Sequence, residues 1–376
     1  MMMKTPIAAA AAACKVWARS TAPCIFGRSV YETLRTTNNI GENKDLANST
    51  LSVASQLPPT YHCDRMLVDF EEKDDGSVVL TPLEFANEEE GRTTETEANT
   101  RTKRYRIPLG RARDCPTLTP RALEDDKFDR RRRPFVSLAV VGMVVVADED
   151  NDGESSSGDT DALSLLITRR PSYMRSFPGA FVFPGGNVDP DDESLEDALS
   201  REIFEETGLE ISKDSWKLEC LWESIYPTQI SPTIEASDID TVEQHYEEGA
   251  IKAHHLVCYF SGRPQNQDQR KIQESLTLCE EEVDGAVWMS RDKIRDLLEA
   301  TASIERDRDR ALPEIVADQT ISLHASGNMG TNPIPLSDLA GIYPRVVNSD
   351  CRFCGMAQGS LFALEEFVRN HPTQPL

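Results

Sequence analysis

The chain has 376 residues, of which 39% are hydrophobic and 28% charged, and a formal net charge of -24. That balance argues against broad attraction to nucleic acid or to an anionic membrane surface, while leaving room for a local basic site. No apolar run approaches the roughly 20 residues that cross a bilayer, so neither a transmembrane helix nor a membrane partner is expected.

The first 31 residues contain no Asp or Glu but carry Lys4, Lys15, Arg19 and Arg28 around the alanine run Ala8 to Ala13. This composition resembles an organelle presequence and fits an unstructured N-terminus equally well. An intracellular location, mitochondrial or cytoplasmic, is expected. Residues 1–60 read as leader and linker. From Arg65 to Leu83, apolar and polar residues alternate around Asp75-Gly76, a hairpin pattern, and Arg104 to Leu109 adds a short strand. Residues 61–130 thus read as a small β-rich appendage with an acidic linker, and a chain beginning near Leu109 is expected to keep the rest folded. The basic run Arg130 to Arg133 reads as a solvated linker, with a nucleic-acid contact as the alternative.

Residues 131–370 hold the main domain. Strands are expected at Val136 to Ala147 and Leu163 to Thr168, joined across the acidic insert Asp148 to Asp161. A strand at Phe181 to Phe183, a loop at Gly185-Gly186 and a helix from Leu195 to Thr207 follow. Further strands are expected near Leu218 to Ile225, His255 to Ser261 and Ala286 to Met289, with helices at Arg291 to Ala300 and Leu361 to Asn370. Few helices among many strands, without regular βαβ alternation, predict an α/β sandwich rather than a doubly wound sheet. The nine cysteines are scattered and do not form a secreted disulfide framework. Cys351-x-x-Cys354 is either half of a zinc site or, the favoured reading, two ordinary thiols.

The helix after Gly185-Gly186 carries the chemistry. Ser194 and Asp197 form a capping-box-like start, with Asp in place of the usual Glu or Gln, and Gly208 supplies the stop. Leu195, Ala198 and Leu199 define an apolar stripe. Glu202, Glu205 and Glu206 continue it at the spacing that brings side chains together. Three carboxylates on a half-buried face, near the negative end of the helix dipole, repel one another. A bound divalent cation would resolve that conflict, and oxygen-only ligands point to Mg²⁺ or Mn²⁺.

Arg201-Glu202-Ile203-Phe204-Glu205-Glu206-Thr207-Gly208-Leu209 resembles the signature end of the Nudix hydrolase box at every defined position. The loop before it carries one residue more than the family pattern. The resemblance implies a Nudix α/β/α sandwich with a mixed sheet and metal-dependent cleavage of a pyrophosphate linkage in a nucleotide derivative. It implies Glu202, Glu205 and Glu206 as metal ligands, with Glu205, Glu206 and Arg201 taking part in catalysis and Arg201 pairing with Glu193. Gly185 and Gly186 would let the backbone approach metal and phosphate. Glu282 resembles a later family glutamate that binds metal or acts as base, and reads equally as a surface acid within Glu280-Glu281-Glu282.

The ordered set Ile167 to Arg170, Phe183 to Gly186, Trp222 to Pro227, His254 to Val257, Val287-Trp288 and Gly359 to Leu364 is similar to the nucleoside diphosphate-linked moiety X motif 17 branch. The stretch from Ile167 to Gly186, with Arg170 and Arg175, also partly resembles coenzyme A diphosphatases. Arg170, Arg175, Tyr226 and His255 are the remaining candidates for substrate binding, since guanidinium grips phosphate oxygens in pairs. Tyr226, Trp222 and Tyr343 are candidates for stacking on a base, although Trp222 and Trp288 read better as core. The expected substrate is a small nucleotide of the NADH, ADP-ribose or coenzyme A type. The alternatives are a capped RNA, associated with the motif 17 branch, and a nucleotide-binding module without catalysis.

Overall fold

The computed structural model describes residues 16–18, 63–72, 78–82, 104–112, 136–147, 163–189, 191–226, 253–264, 272, 275–306, 316, 318–326, 331–343, 345–346 and 353–371. Before the main domain come β1 (Val16–Ala18), β2 (Cys63–Glu72), β3 (Val78–Pro82) and β4 (Arg104–Ala112). Then follow β5 (Ser137–Ala147), β6 (Leu163–Arg169), β7 (Phe181–Val182), β8 (Gly185–Asn187) and α1 (Leu195–Thr207). The remainder comprises β9 (Lys217–Tyr226), β10 (Ala253–Gly262), β11 (Gly285–Ser290), α2 (Arg291–Arg306), β12 (Thr320–Ala325), β13 (Thr331–Pro335), β14 (Arg345–Val346), β15 (Phe353–Cys354) and α3 (Gln358–Asn370). The acidic insert 148–161, the basic run 130–133, the alanine run and Cys351 lie outside the described residues.

The period-2 pattern of β5 shows how the layers arise. Leu138, Val140, Val144 and Val146 point to the face that buries Leu195, Ala198, Leu199 and Ile203 of α1. Met143 and Val145 point to the opposite face, where Leu297 and Leu298 of α2 and Leu361, Phe362 and Leu364 of α3 are buried. Both faces of the sheet are therefore covered by helix, which is the expected α/β/α sandwich. Gly142 lets α1 sit close: a Cβ there would lie 2.9 Å from Ile203 Cδ1 and 3.0 Å from Trp216. The sheet is mixed, with β10 parallel to β5 and antiparallel to β9.

The strand order is β1-β3-β2-β4-β9-β10-β5-β6-β11-β12-β13, with β7 on β6 and β8 on β5. The N-terminal segment is β-rich as expected, and it continues the main sheet: β4 pairs in parallel with β9, Leu109 opposite Leu221. Even the stretch read as leader contributes β1, which pairs with β3. Val68, Phe70, Ile107 and Leu109 are buried in the same cluster as α1. On the other face Gly110 makes room for Phe362, whose ring lies 5.3 Å from that of Trp222. Arg65 donates to both carboxylate oxygens of Glu366 on α3, at 2.8 and 3.2 Å.

This continuity speaks against the expectation that a chain beginning near Leu109 keeps its fold. Such a cut removes β1, β2 and β3, splits β4 and strips the buried carboxylate of Glu366 of Arg65. Each lost large apolar side chain costs roughly 2–5 kcal/mol, against a total domain stability of about 5–15 kcal/mol. A chain beginning at residue 61 should melt cooperatively like the full chain, and one beginning at Leu109 should be insoluble or lack a transition by circular dichroism. Equal melting of the two would contradict this.

Other differences are local. Gly185-Gly186 is not a loop but lies in β8, opposite Val141 and Val140 of β5. The segment Ser275 to Cys279 forms no strand and bonds through Thr277 and Cys279 to the end of α1. The pair β12 and β13 has no counterpart in the sequence expectation. Strand β13 carries Pro333 and Pro335 and is the last strand of the sheet among the described residues, where proline is tolerated because one side of the backbone needs no donor. Helix α2 runs past Ala300 to Arg306.

Candidate active site

Helix α1 begins as expected, with the Ser194 hydroxyl accepting from the Asp197 N–H at 3.1 Å. The reciprocal bond differs: Asp197 accepts from Glu193 N–H at 3.3 Å, one residue before the cap. Gly208 ends the helix in the left-handed conformation, φ 71°, with its N–H on Phe204 O. The last helical carbonyls accept from a distant segment, Thr207 O from Thr277 N–H at 2.9 Å and Glu206 O from Cys279 N–H at 3.0 Å.

Those two bonds lead the chain into the turn that carries Glu282. Carboxylate oxygens of Glu202, Glu206 and Glu282 consequently lie within 4.8 Å of one another. The structure thus brings the later glutamate to two of the three box acids. Glu205 stands further out, its side chain 54% exposed and accepting from Arg201 Nη1 at 3.2 Å. Glu206 is buried, and Gly185 N–H donates to its Oε2 at 3.2 Å. Gly186 passes so close that a Cβ would lie 2.3 Å from Glu202 Oε2.

Burial pushes the Glu206 carboxyl up to about 8, helped by Glu282 and Glu202 and opposed by Arg170 and the Gly185 N–H. Burial also raises Glu202, against the opposing pull of Arg201, with Glu205 and Glu282 adding to the rise. Both shifts express the crowding of negative charge in low dielectric. The arrangement fits a hard divalent cation, because the donors are all oxygen and a positive charge would relieve both raised groups.

Arg201 does not pair with Glu193. It grips Asp192, with Nε to Oδ1 at 3.1 Å and Nη2 to Oδ2 at 2.9 Å, and also reaches Glu202 and the Asn187 carbonyl. Asp192 is turned inward by accepting from Asp189 N–H at 2.7 Å, whereas Glu193 projects into solvent with its side chain 81% exposed. Although burial would raise the Asp192 carboxyl, Arg201 holds it below its ordinary value. The same hydrogen bond raises the Arg201 guanidinium further, so the loop-to-helix clamp stays charged.

Of the substrate candidates, Arg170 is the one whose charge reaches Glu206, and its Nε donates to Ser176 O at 3.1 Å. Arg175 is exposed on the same loop. Tyr226 closes β9, and its side chain lies outside the described residues. His254 is the buried member of the histidine pair, 3.0 Å from Glu223. His255 alternates with Val257 and Tyr259 onto the face opposite α1, away from the helix that bears Glu202 and Glu206. Tyr343 is no stacking platform: it is buried, packs 5.9 Å from Phe177 and donates to Pro178 O. Trp222 is core, as expected. Arg169, at the end of β6, pairs with Asp284 at 2.6 Å. Asp192 and Tyr173 were not singled out from sequence; Asp192 sits beside an equally plausible acid, and Tyr173 carries no local signature.

Acids on a capped helix, clamped by Arg201 to a glycine strand and facing a third acid, make a candidate divalent-cation site. A family model described as NUDIX domain matches residues 138–310. The chain belongs to the Nudix family of pyrophosphohydrolases, whose members generally use divalent metal ions. Among curated relatives it is similar to the m7GpppN-mRNA hydrolase NUDT17 of Danio rerio, 32% identical over 271 residues, covering 70% of this chain and 77% of the relative. The protein of the same name from Bos taurus is 31% identical over 270 residues, covering 70% and 78%. A solved MutT/nudix family protein from Enterococcus faecalis is 15% identical with a TM-score of 0.30, covering 62% of this chain and 61% of that one.

Proposed function

We propose that the chain hydrolyses the pyrophosphate linkage of a capped RNA 5′ end, with Mg²⁺ or Mn²⁺ held by Glu202, Glu206 and Glu282. The observation that supports hydrolysis is the convergence of those three carboxylates from two distant segments within 4.8 Å. Support for the substrate class comes from the names of the two relatives above, which favour a capped RNA over the small dinucleotide expected from sequence. When bound, the cation supplies Lewis-acid polarisation of a phosphoryl oxygen and acidifies a water.

The chain's own residues do the rest. Arg201 holds the glycine strand to the helix so that Gly186 stays against Glu202. Arg170, next to Glu206, binds a phosphoryl oxygen, and Arg175 meets the phosphate chain further out. Glu205, held by Arg201 and open to solvent, passes the attacking water's proton to bulk. Water adds at phosphorus, the bridging P–O bond breaks, and each product keeps a phosphate.

The test is kcat/KM for a capped RNA oligomer, NADH, ADP-ribose and coenzyme A, side by side at one salt concentration. A net charge of -24 opposes a polyanion, so the RNA rate should rise, not fall, as moderate salt screens that repulsion. Capped RNA is expected to be preferred at least tenfold. A tenfold preference for NADH or coenzyme A would overturn this reading in favour of the small-nucleotide one, and no turnover of any would favour a binding module.

A further inference from the structure

Two of the three converging acids are fixed by helix α1, whereas Glu282 depends on a surface turn. Glu280, Glu281 and Glu282 are all exposed. The turn is anchored at its start by Cys279 N–H on Glu206 O, and internally by Glu282 N–H and Val283 N–H on Cys279 O. Its far end is held by Asp284, which pairs with Arg169 and whose N–H donates to Arg169 O at 3.0 Å. Between those anchors stands Tyr173, whose hydroxyl lies 2.8 Å from Glu280 O and 3.3 Å from Glu281 O.

Tyr173 is 69% exposed, the more exposed of the two large hydrophobic side chains open to solvent among the described residues. Its ring therefore contributes little to the core, and the hydroxyl bonds are what fix it. The loop it comes from is itself braced, with Arg170 Nε on Ser176 O, Tyr343 Oη on Pro178 O, and Gly179 N–H on Arg170 O. A rigid loop thus reaches the middle of the turn at the two carbonyls just before Glu282.

We propose that Tyr173 is a positioning residue, its hydroxyl tethering the Glu280–Glu282 turn and so setting the Glu282 carboxylate against Glu202 and Glu206. This rests on the reading of those three acids as a cation site. Because Cys279 and Asp284 anchor the turn independently, loss of the tether loosens Glu282 without unfolding the chain.

The experiment measures Mn²⁺ binding to the full chain by the loss of the free-ion electron paramagnetic resonance signal, with thermal melts alongside. Tyr173→Phe keeps the ring and removes only the hydroxyl. One exposed hydrogen bond corresponds to about a two- to tenfold weakening of Mn²⁺ binding, with the melting temperature unchanged. In a Glu282→Gln background the same substitution should have no further effect, because the group it positions is gone. Parent-like Mn²⁺ affinity in Tyr173→Phe, or an equal loss with and without Glu282, overturns the tether while leaving the cation site in place. Parent-like affinity in Glu206→Gln overturns the cation site itself and the tether with it.

Discussion

Glu206→Gln should leave a folded chain with turnover reduced by two or more orders of magnitude. A neutral amide is a poor ligand for a hard cation, and metal assistance contributes several kcal/mol to such a transition state, at about 1.4 kcal/mol per tenfold in rate. Stability should move the other way. In the metal-free protein the Glu206 carboxyl is raised to about 8 from an ordinary 4.5, chiefly by burial. The folded state therefore binds the proton more tightly than the unfolded state does. That contribution is fully present below about pH 4.5, fades as pH rises toward 8 and is gone above it. Gln mimics the neutral form at every pH. Metal-free Glu206→Gln should therefore melt higher than the parent at pH 8 and 9, with the gap closing near pH 5. A variant both inactive and less stable at pH 9 would mean that the substitution merely damages the fold.

Gly186→Ala is expected to be nearly as damaging to activity, by at least a hundredfold, through geometry alone. The added Cβ would lie 2.3 Å from Glu202 Oε2 and 2.5 Å from its carboxyl carbon. The far end of a flexible side chain gives way more easily than backbone, so the carboxylate moves and the fold survives. Displacing a reacting group by about 1 Å costs on the order of a hundredfold. Its neighbour makes the contrast. Gly185 has φ 146°, and a Cβ there would meet the Val140 carbonyl at 2.2 Å. Gly185→Ala should therefore cost stability first, whereas Gly186→Ala should cost Mn²⁺ affinity and kcat with little change in melting temperature. Identical phenotypes for the two would contradict this division.

Helix α1 was legible to the residue because everything that defines it is local: the stripe of Leu195, Ala198 and Leu199, the Ser194 cap and the Gly208 stop. The strands that flank it were legible from alternation for the same reason. What sequence left open depends on contacts between distant segments. Nothing local distinguishes Glu282 from Glu280 and Glu281; the bond from Cys279 to the end of α1 selects it. Nor does spacing distinguish Asp192 from Glu193 as the partner of Arg201, a choice made by the inward turn of Asp192. The attachment of the N-terminal strands rests on the β4–β9 pairing, between segments more than a hundred residues apart.

The stitching of Thr277 and Cys279 onto the last carbonyls of α1 has a dynamic consequence. Helix ends ordinarily fray, opening and closing far more often than the helix centre. Here the frayed state would have to release Thr277 and Cys279 as well, so opening of the helix end also costs the first anchor of the Glu282 turn, while Tyr173 and Asp284 still hold its middle and far end. Fraying at this end is therefore rarer than at a helix end whose last carbonyls face only water. Glu202 and Glu206 thus meet an incoming substrate from a helix end that stays closed.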